Sequence, residues 1–130
     1  MVVDSSAVLA ILLGEPEAEQ FAATIAEAAQ VRIGMVSALE TTAVALGRLR
    51  MNLEQVLRFL GEAGIALSPL DERQLRIAGE ALERFGRGRH SAGLNFGDCF
   101  SYALAKSLGE PLLFKGQDFS QTDILPAMAP

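Results

Sequence analysis

Four short apolar runs punctuate the chain: MVVD at 1–4, VRIGMV at 31–36, IALSPL at 65–70 and PLLF at 111–114. They read as strands without the regular polar–apolar alternation of a half-exposed sheet, which is the pattern that burial on both faces produces. Long helical segments separate them, and it is parallel neighbours that need such crossover connections. The order predicts an α/β sandwich with a mostly parallel sheet.

The intervening segments carry helix signals. SSAVLAILLG places a Ser at the cap position and closes on Gly. Pro16 opens a second helix whose Ala18, Phe21, Ala22, Ile25 and Ala29 share a face, with Glu15, Glu17 and Glu19 near its positive end. SALETTAVALGRLR predicts a third, striped by Leu39, Ala43, Leu46 and Leu49 or Arg50, and NLEQVLRFLGEAG a fourth, capped by Asn52. DERQLRIAGEALERFG predicts a fifth, with Arg76, Glu80 and Arg84 spaced for ion pairing. After the turn-rich GRGRHSAGLN, FGDCFSYALAKSLG predicts a sixth, with Phe96, Cys99, Phe100, Ala103, Leu104, Ser107 and Leu108 on one face. No repeat, low-complexity tract or linker divides the chain, so residues 1–130 read as one domain, long enough to bury about two-thirds of its unfolded surface.

Composition narrows the setting. The longest apolar run, Ala7–Leu13, is far short of the roughly 18 residues of a membrane span. An early Asp4 and the lack of a basic leader argue against a signal peptide. The lone Cys99 cannot pair within the chain and points to a reducing, cytoplasmic compartment. Net charge is -5, which disfavours nucleic-acid binding in general. Yet Arg84, Arg87, Arg89 and His90 fall together, and Arg48 and Arg50 close the third helix, so a local basic lip is compatible with the acidic total.

In folds of this class ligands bind outside the carboxyl ends of the strands. Asp4 ends the first strand, Glu40 enters the helix after the second, Asp98 lies in the first turn of the sixth helix, and Asp118 follows the fourth strand. Each has a structural explanation of its own. SALE fits the S-x-x-E capping box, Asn95 to Asp98 mimics it, Asp4 can cap the helix it precedes, and Asp118 can be a turn residue. Taken together the acids are harder to explain, because converging carboxylates without Lys or Arg repel one another. A divalent cation removes that cost, and an oxygen-only donor set suits Mg²⁺ or Mn²⁺ rather than zinc. Asp71, which also follows a strand and opens a helix, and Asp123, in SQTDI, are the competing members.

MVVDSSA, SALE, NFGDCFSYALAK and LLFKGQDF resemble the four acidic motifs of PIN-domain ribonucleases, and most closely those of VapC toxins from bacterial VapBC toxin–antitoxin pairs. The resemblance spans essentially the whole chain. It implies a three-layer α/β/α sandwich, a homodimer, and a Mg²⁺- or Mn²⁺-dependent endoribonuclease acting on transfer or ribosomal RNA and restrained by a VapB antitoxin. It carries the acidic roles to Asp4, Glu40, Asp98 and Asp118, with Asp4 and Asp98 as direct metal ligands. Ser6 matches a hydroxyl position often used at the site, and Asn95 the helix-entry Asn. Many PIN domains have a Thr-rich segment before the last acid, where this chain has FKGQDF.

Other acid-bearing α/β folds fit less well. A receiver domain wants adjacent acids after its first strand, a haloacid-type phosphatase wants D-x-D where this chain has Asp4-Ser5-Ser6, and a dinucleotide fold wants G-x-G-x-x-G between strand and helix. The non-enzymatic alternative is a PIN-like RNA- or protein-binding module that has lost activity, against which the full acid set argues.

Overall fold

The computed structural model describes residues 1–128. Its elements run β1 (Val2–Val3), α1 (Ser5–Leu12), α2 (Ala18–Glu27), β2 (Val31–Gly34), α3 (Met35–Leu49), α4 (Leu53–Glu62), β3 (Ile65–Ser68), α5 (Glu72–Phe85), α6 (Phe96–Leu108) and β4 (Leu112–Leu113), followed by a 3-10 turn at Asp118–Gln121. The strands pair in the order β3-β2-β1-β4, every pair parallel. Residues near Pro126 run along the free side of β4, where the Leu112 amide donates to the Leu125 carbonyl and the Ala127 amide to that of Leu112.

Alternation along the short strands divides the interior into two cores. Val2 and Leu112 face one core, with α5, α6, Phe119 and Ile124, while Val3 and Leu113 face the other, with α1 to α4. The molecule is therefore a three-layer α/β/α sandwich with β1 at its centre. Both residues of β1 are completely buried, which explains why so short a strand holds its place. A second anchor is ionic: Glu110 pairs with the N-terminal ammonium at 2.7 Å and with Arg32 at 3.0 Å, joining the entry of β1 to its neighbours.

Several elements depart from the sequence expectation. Asp4, not Ser5, caps α1. α2 begins at Ala18 and ends at Glu27, so only Phe21 and Ile25 of its expected face are buried. β2 stops at Gly34, and Met35–Val36, read as strand, form the first turn of α3. An apolar pair at such a junction satisfies either periodicity.

The expected core stripe of α3 faces outward, with Leu39 68% and Leu46 54% exposed, while Ser37, Ala38, Thr41, Thr42 and Ala45 are buried. On α6, Phe96 is 71% exposed and Leu108 is also exposed, because the helix is covered instead along Cys99 and Ser101 to Ala105. The ladder expected on α5 is replaced by an Arg76–Glu72 pair, and the Arg84 guanidinium lies over the Phe85 ring. At the sheet edge, Ala66 and Leu67 of β3 are exposed, so burial on both faces holds for β1 and β4 but not there.

α4 and α5 follow their signals, with Asn52 and Gln55 forming a reciprocal capping box and Asp71 accepting from the Gln74 amide at 2.8 Å. α6 ends on Gly109, whose φ of 64° is the left-handed conformation that favours glycine at a helix C-terminus.

Leu104 is fully buried between α6 and the sheet. Leu104→Ala is expected to cost about 2 to 5 kcal/mol of stability, read as a lower urea midpoint with an unchanged m-value.

Candidate active site

Parallel pairing brings the carboxyl ends of β1, β2 and β4 to one rim, and the four acids are carried there by different elements. Asp4 follows β1 directly and is only 4% exposed. Its Oδ2 accepts from the Ser6 amide at 3.0 Å as the cap of α1, and its Oδ1 accepts from the Ser101 hydroxyl at 2.5 Å. The Ser101 hydroxyl is itself 2.8 Å from that of Ser37 on α3.

Asp98 stands in the first turn of α6 within a reciprocal capping box. Its amide donates to Asn95 Oδ1 at 2.8 Å, and its Oδ2 accepts from the Asn95 amide at 3.0 Å. Asn95 thus fixes the acid rather than facing solvent independently.

Glu40 reaches the rim by another route. Because α3 starts at Met35, Glu40 lies in the second turn, and the SALE capping box does not form; Gly34 is the N-cap, without a side-chain bond. The Glu40 carboxylate lies against the α-carbon of Gly97, where a methyl group would overlap it. Asp118 opens the 3-10 turn after β4. The segment leading to it is tied down by the Lys115 amide, which donates to Ser6 Oγ at 3.0 Å, and by the Lys115 ammonium, which pairs with Glu15 and Glu17. Ser6 therefore touches the site from two sides: its amide holds Asp4, and its hydroxyl holds the chain that carries Asp118.

The electrostatics show that these carboxylates sense one another. Asp98 is pushed up to about 7, first by burial and then by Asp4 and Asp118, against the lowering effect of the Asn95 amide. Glu40 is raised too, by burial and then by Asp4. Among the described residues, none of the four forms an ion pair with Lys or Arg. Nor do any three already converge as a closed metal cage.

The competing acids lie elsewhere. Asp123 accepts from the Tyr102 hydroxyl at 2.6 Å and from the Lys106 ammonium at 3.0 Å, and these bonds lower its titration. Asp71 is taken up in capping α5. Of the basic loop, Arg87, Arg89 and His90 are exposed, and His90 Nδ1 accepts from the Ala92 amide. The loop is closed at its base by Arg87 and Leu94 and joined to the Asp118 turn through Ser91 and Gln121.

Sequence reasoning missed Ser37, Gly97 and Ser101. A signal was available for the serines: Ser37 lies three residues before Glu40 and Ser101 three after Asp98, a spacing that shares a helix face. Two amides at the starts of α1 and α6 are taken by side chains, that of Ser6 by Asp4 and that of Asp98 by Asn95.

Known proteins give the family. The PIN-domain profile matches residues 1–125. The chain belongs to the PIN-domain family. Within it, the chain is 45% identical to a Ribonuclease VapC of Mycolicibacterium smegmatis over 95% of this chain and 97% of that one. It is 44% identical to Ribonuclease VapC30 of Mycobacterium tuberculosis over the full length of both. Membership of the VapC ribonucleases, RNA-cleaving toxins of PIN fold, follows from these relatives. The fold matches that of Mycobacterium tuberculosis VapC20, described as a sarcin–ricin loop cleaving toxin, with a TM-score of 0.77 at 18% identity over 99% of this chain and 98% of that one. It also matches a chain of a toxin–antitoxin complex from Klebsiella pneumoniae, with a TM-score of 0.71 at 17% identity over 94% and 92% of the two chains.

A carboxyl raised in the folded state binds its proton more tightly there than in the unfolded chain, so its stabilising contribution is full below the unfolded value and is lost as pH rises through the folded one. For Asp98 that window runs from its ordinary 3.8 to about 7, and Glu40 acts in the same direction. Glu110 and Asp123, both lowered, act oppositely, but their contributions are complete above the ordinary carboxylate range. EDTA-treated protein is therefore expected to lose stability between about pH 4.5 and pH 7.5. Urea midpoints across that range check this, and Asp98→Asn should flatten the slope.

Proposed function

We propose that Asp4, Glu40, Asp98 and Asp118 form the catalytic set of a divalent-metal-dependent endoribonuclease that cuts transfer or ribosomal RNA and is neutralised by a VapB-type antitoxin. The observation that carries the reading is the meeting of the acids at one rim, where burial and then the Asp4 and Asp118 carboxylates raise Asp98, with no basic partner among the described residues. A proton relieves that repulsion in the absence of metal, and a hard cation would relieve it more completely.

The donor set fits such an ion. It is all oxygen, without His or Cys among its members, which suits Mg²⁺ or Mn²⁺. Asp4 and Asp98 would hold it, with Glu40 and Asp118 orienting water or a second ion. When bound, the ion supplies activation of water and neutralisation of phosphoryl charge.

The chain's own residues do the positioning. Ser6 and Ser101 fix the two oxygens of Asp4, Asn95 fixes Asp98, and Gly97 leaves room for Glu40 beside α6. Arg87 and Arg89, on the loop joined to the Asp118 turn, are placed to meet RNA phosphates, a local attraction that the net charge of -5 does not supply.

Residues 1–130 act as one PIN domain in this reading, located in the cytoplasm. Among the described residues no helix is long and apolar enough to cross a membrane. The outward stripe of Leu39 and Leu46 on α3 supports a homodimer, since apolar patches of this kind mark interaction surfaces.

The test is cleavage of total cellular RNA by antitoxin-free protein with Mn²⁺, with Mg²⁺ and with EDTA. Discrete metal-dependent fragments are expected, with a loss of at least about a hundred-fold in rate for Asp98→Asn, given that removing a single transition-state stabiliser costs that order. Intact RNA from folded, metal-loaded protein would favour a binding module instead.

Gly97→Ala gives a second, independent check. The added methyl must displace the Glu40 carboxylate. Cleavage is expected to fall about ten-fold or more while the helical circular-dichroism signal is kept, consistent with the penalty for small misplacements at an active site.

A further inference from the structure

Ser37 and Ser101 are buried polar residues, 1% and 2% exposed, placed where α3 meets α6. Their hydroxyls bond each other at 2.8 Å, and Ser101 continues to Asp4 Oδ1 at 2.5 Å. The direction of this chain follows from proton counting. A carboxylate only accepts, and a hydroxyl has one proton to give, so Ser101 donates to Asp4 and Ser37 donates to Ser101. Two hydroxyl dipoles in series point at one carboxylate oxygen, each strengthening the next.

The positions of the serines along their helices add a second consequence. Ser37 shares a face of α3 with Glu40, and Ser101 shares a face of α6 with Asp98, each pair three residues apart. A bond between the serines therefore fixes the axial register of α3 against α6. Glu40 lying against Gly97, one turn before Ser101, is the same register seen at the next contact. One short chain of hydrogen bonds thus reaches the elements carrying Asp4, Glu40 and Asp98.

We infer that Ser37 and Ser101 are positioning residues of the ribonuclease site, acting in series to hold the Asp4 carboxylate and the α3–α6 register in the geometry that binds a divalent cation. The inference rests on the metal-dependent reading above. It separates the serines from other buried hydroxyls of α3: Thr42, 4% exposed, donates to the Ala38 carbonyl of its own helix rather than to an acid.

The experiment is calorimetric titration of Mn²⁺ into EDTA-stripped and desalted wild type, Ser37→Ala, Ser101→Ala, the double variant and Thr42→Ala, with thermal unfolding and RNA-cleavage rates at saturating Mn²⁺ alongside. Ser101→Ala is expected to bind Mn²⁺ about ten- to a hundred-fold more weakly, the range typical of losing a residue that orients a metal ligand. Ser37→Ala should show a smaller loss in the same direction. The double variant should bind no worse than Ser101→Ala alone, because a series chain is already broken at its last link. Thr42→Ala should lower the melting temperature and leave Mn²⁺ affinity unchanged.

Wild-type affinity in folded Ser101→Ala, or additive losses in the double variant, would overturn the series mechanism while leaving the metal reading intact. Should Ser101→Ala fail to fold, undiminished Mn²⁺ binding by Ser37→Ala overturns it equally. A wild type that neither binds Mn²⁺ nor cleaves RNA would instead overturn the functional reading, and this inference with it.

Discussion

A carboxylate buried at the end of the central strand must find donors, and the need to satisfy Asp4 organises the rim of this molecule. An unpaired buried charge is among the most costly features a fold can carry. Here three local decisions meet it: α1 starts where its second amide can reach Oδ2, α6 passes where Ser101 can reach Oδ1, and α3 supports Ser101 through Ser37. Each of those helices, in bonding Asp4 or its partner, also delivers something else to the rim. α3 brings Glu40, α6 brings Asp98, and α1 brings Ser6, which secures the segment leading to Asp118.

That arrangement concentrates negative charge without answering it. Two lysines are committed elsewhere, Lys115 to Glu15 and Glu17 and Lys106 to Asp123. Burial and then the Asp4 and Asp118 carboxylates push Asp98 up to about 7, although its capping bonds favour the charged form. In the metal-dependent reading proposed above, the ion and the proton would compete for Asp98, so the ion would gain affinity as pH rises.

The sequence was most legible where local chemistry decides the outcome. Asn52, Asp71 and Asn95 open their helices as their side chains require, and the strands lie where short apolar runs place them. Burial of both β1 residues makes their apolar character unambiguous. The competition between Asp118 and Asp123 was not legible, because only the packing of Tyr102 and Lys106 onto Asp123 distinguishes two acids five residues apart. Gly97 carried no signal either: its role depends on a side chain from a different helix.

The reversal of α3 follows from the site itself. Periodicity locates a stripe of large apolar residues but does not say which way it points, and Leu39 and Leu46 were the natural candidates for the core. The buried face instead carries Ser37, Ala38, Thr41, Thr42 and Ala45, none larger than threonine. Helices approach closely only where their contacting side chains are small. A leucine face turned inward would hold α3 away from α6, breaking the serine bond and withdrawing Glu40 from Gly97. Close approach at the rim thus requires the small face inside, and the larger residues are left outside, where only another surface can cover them.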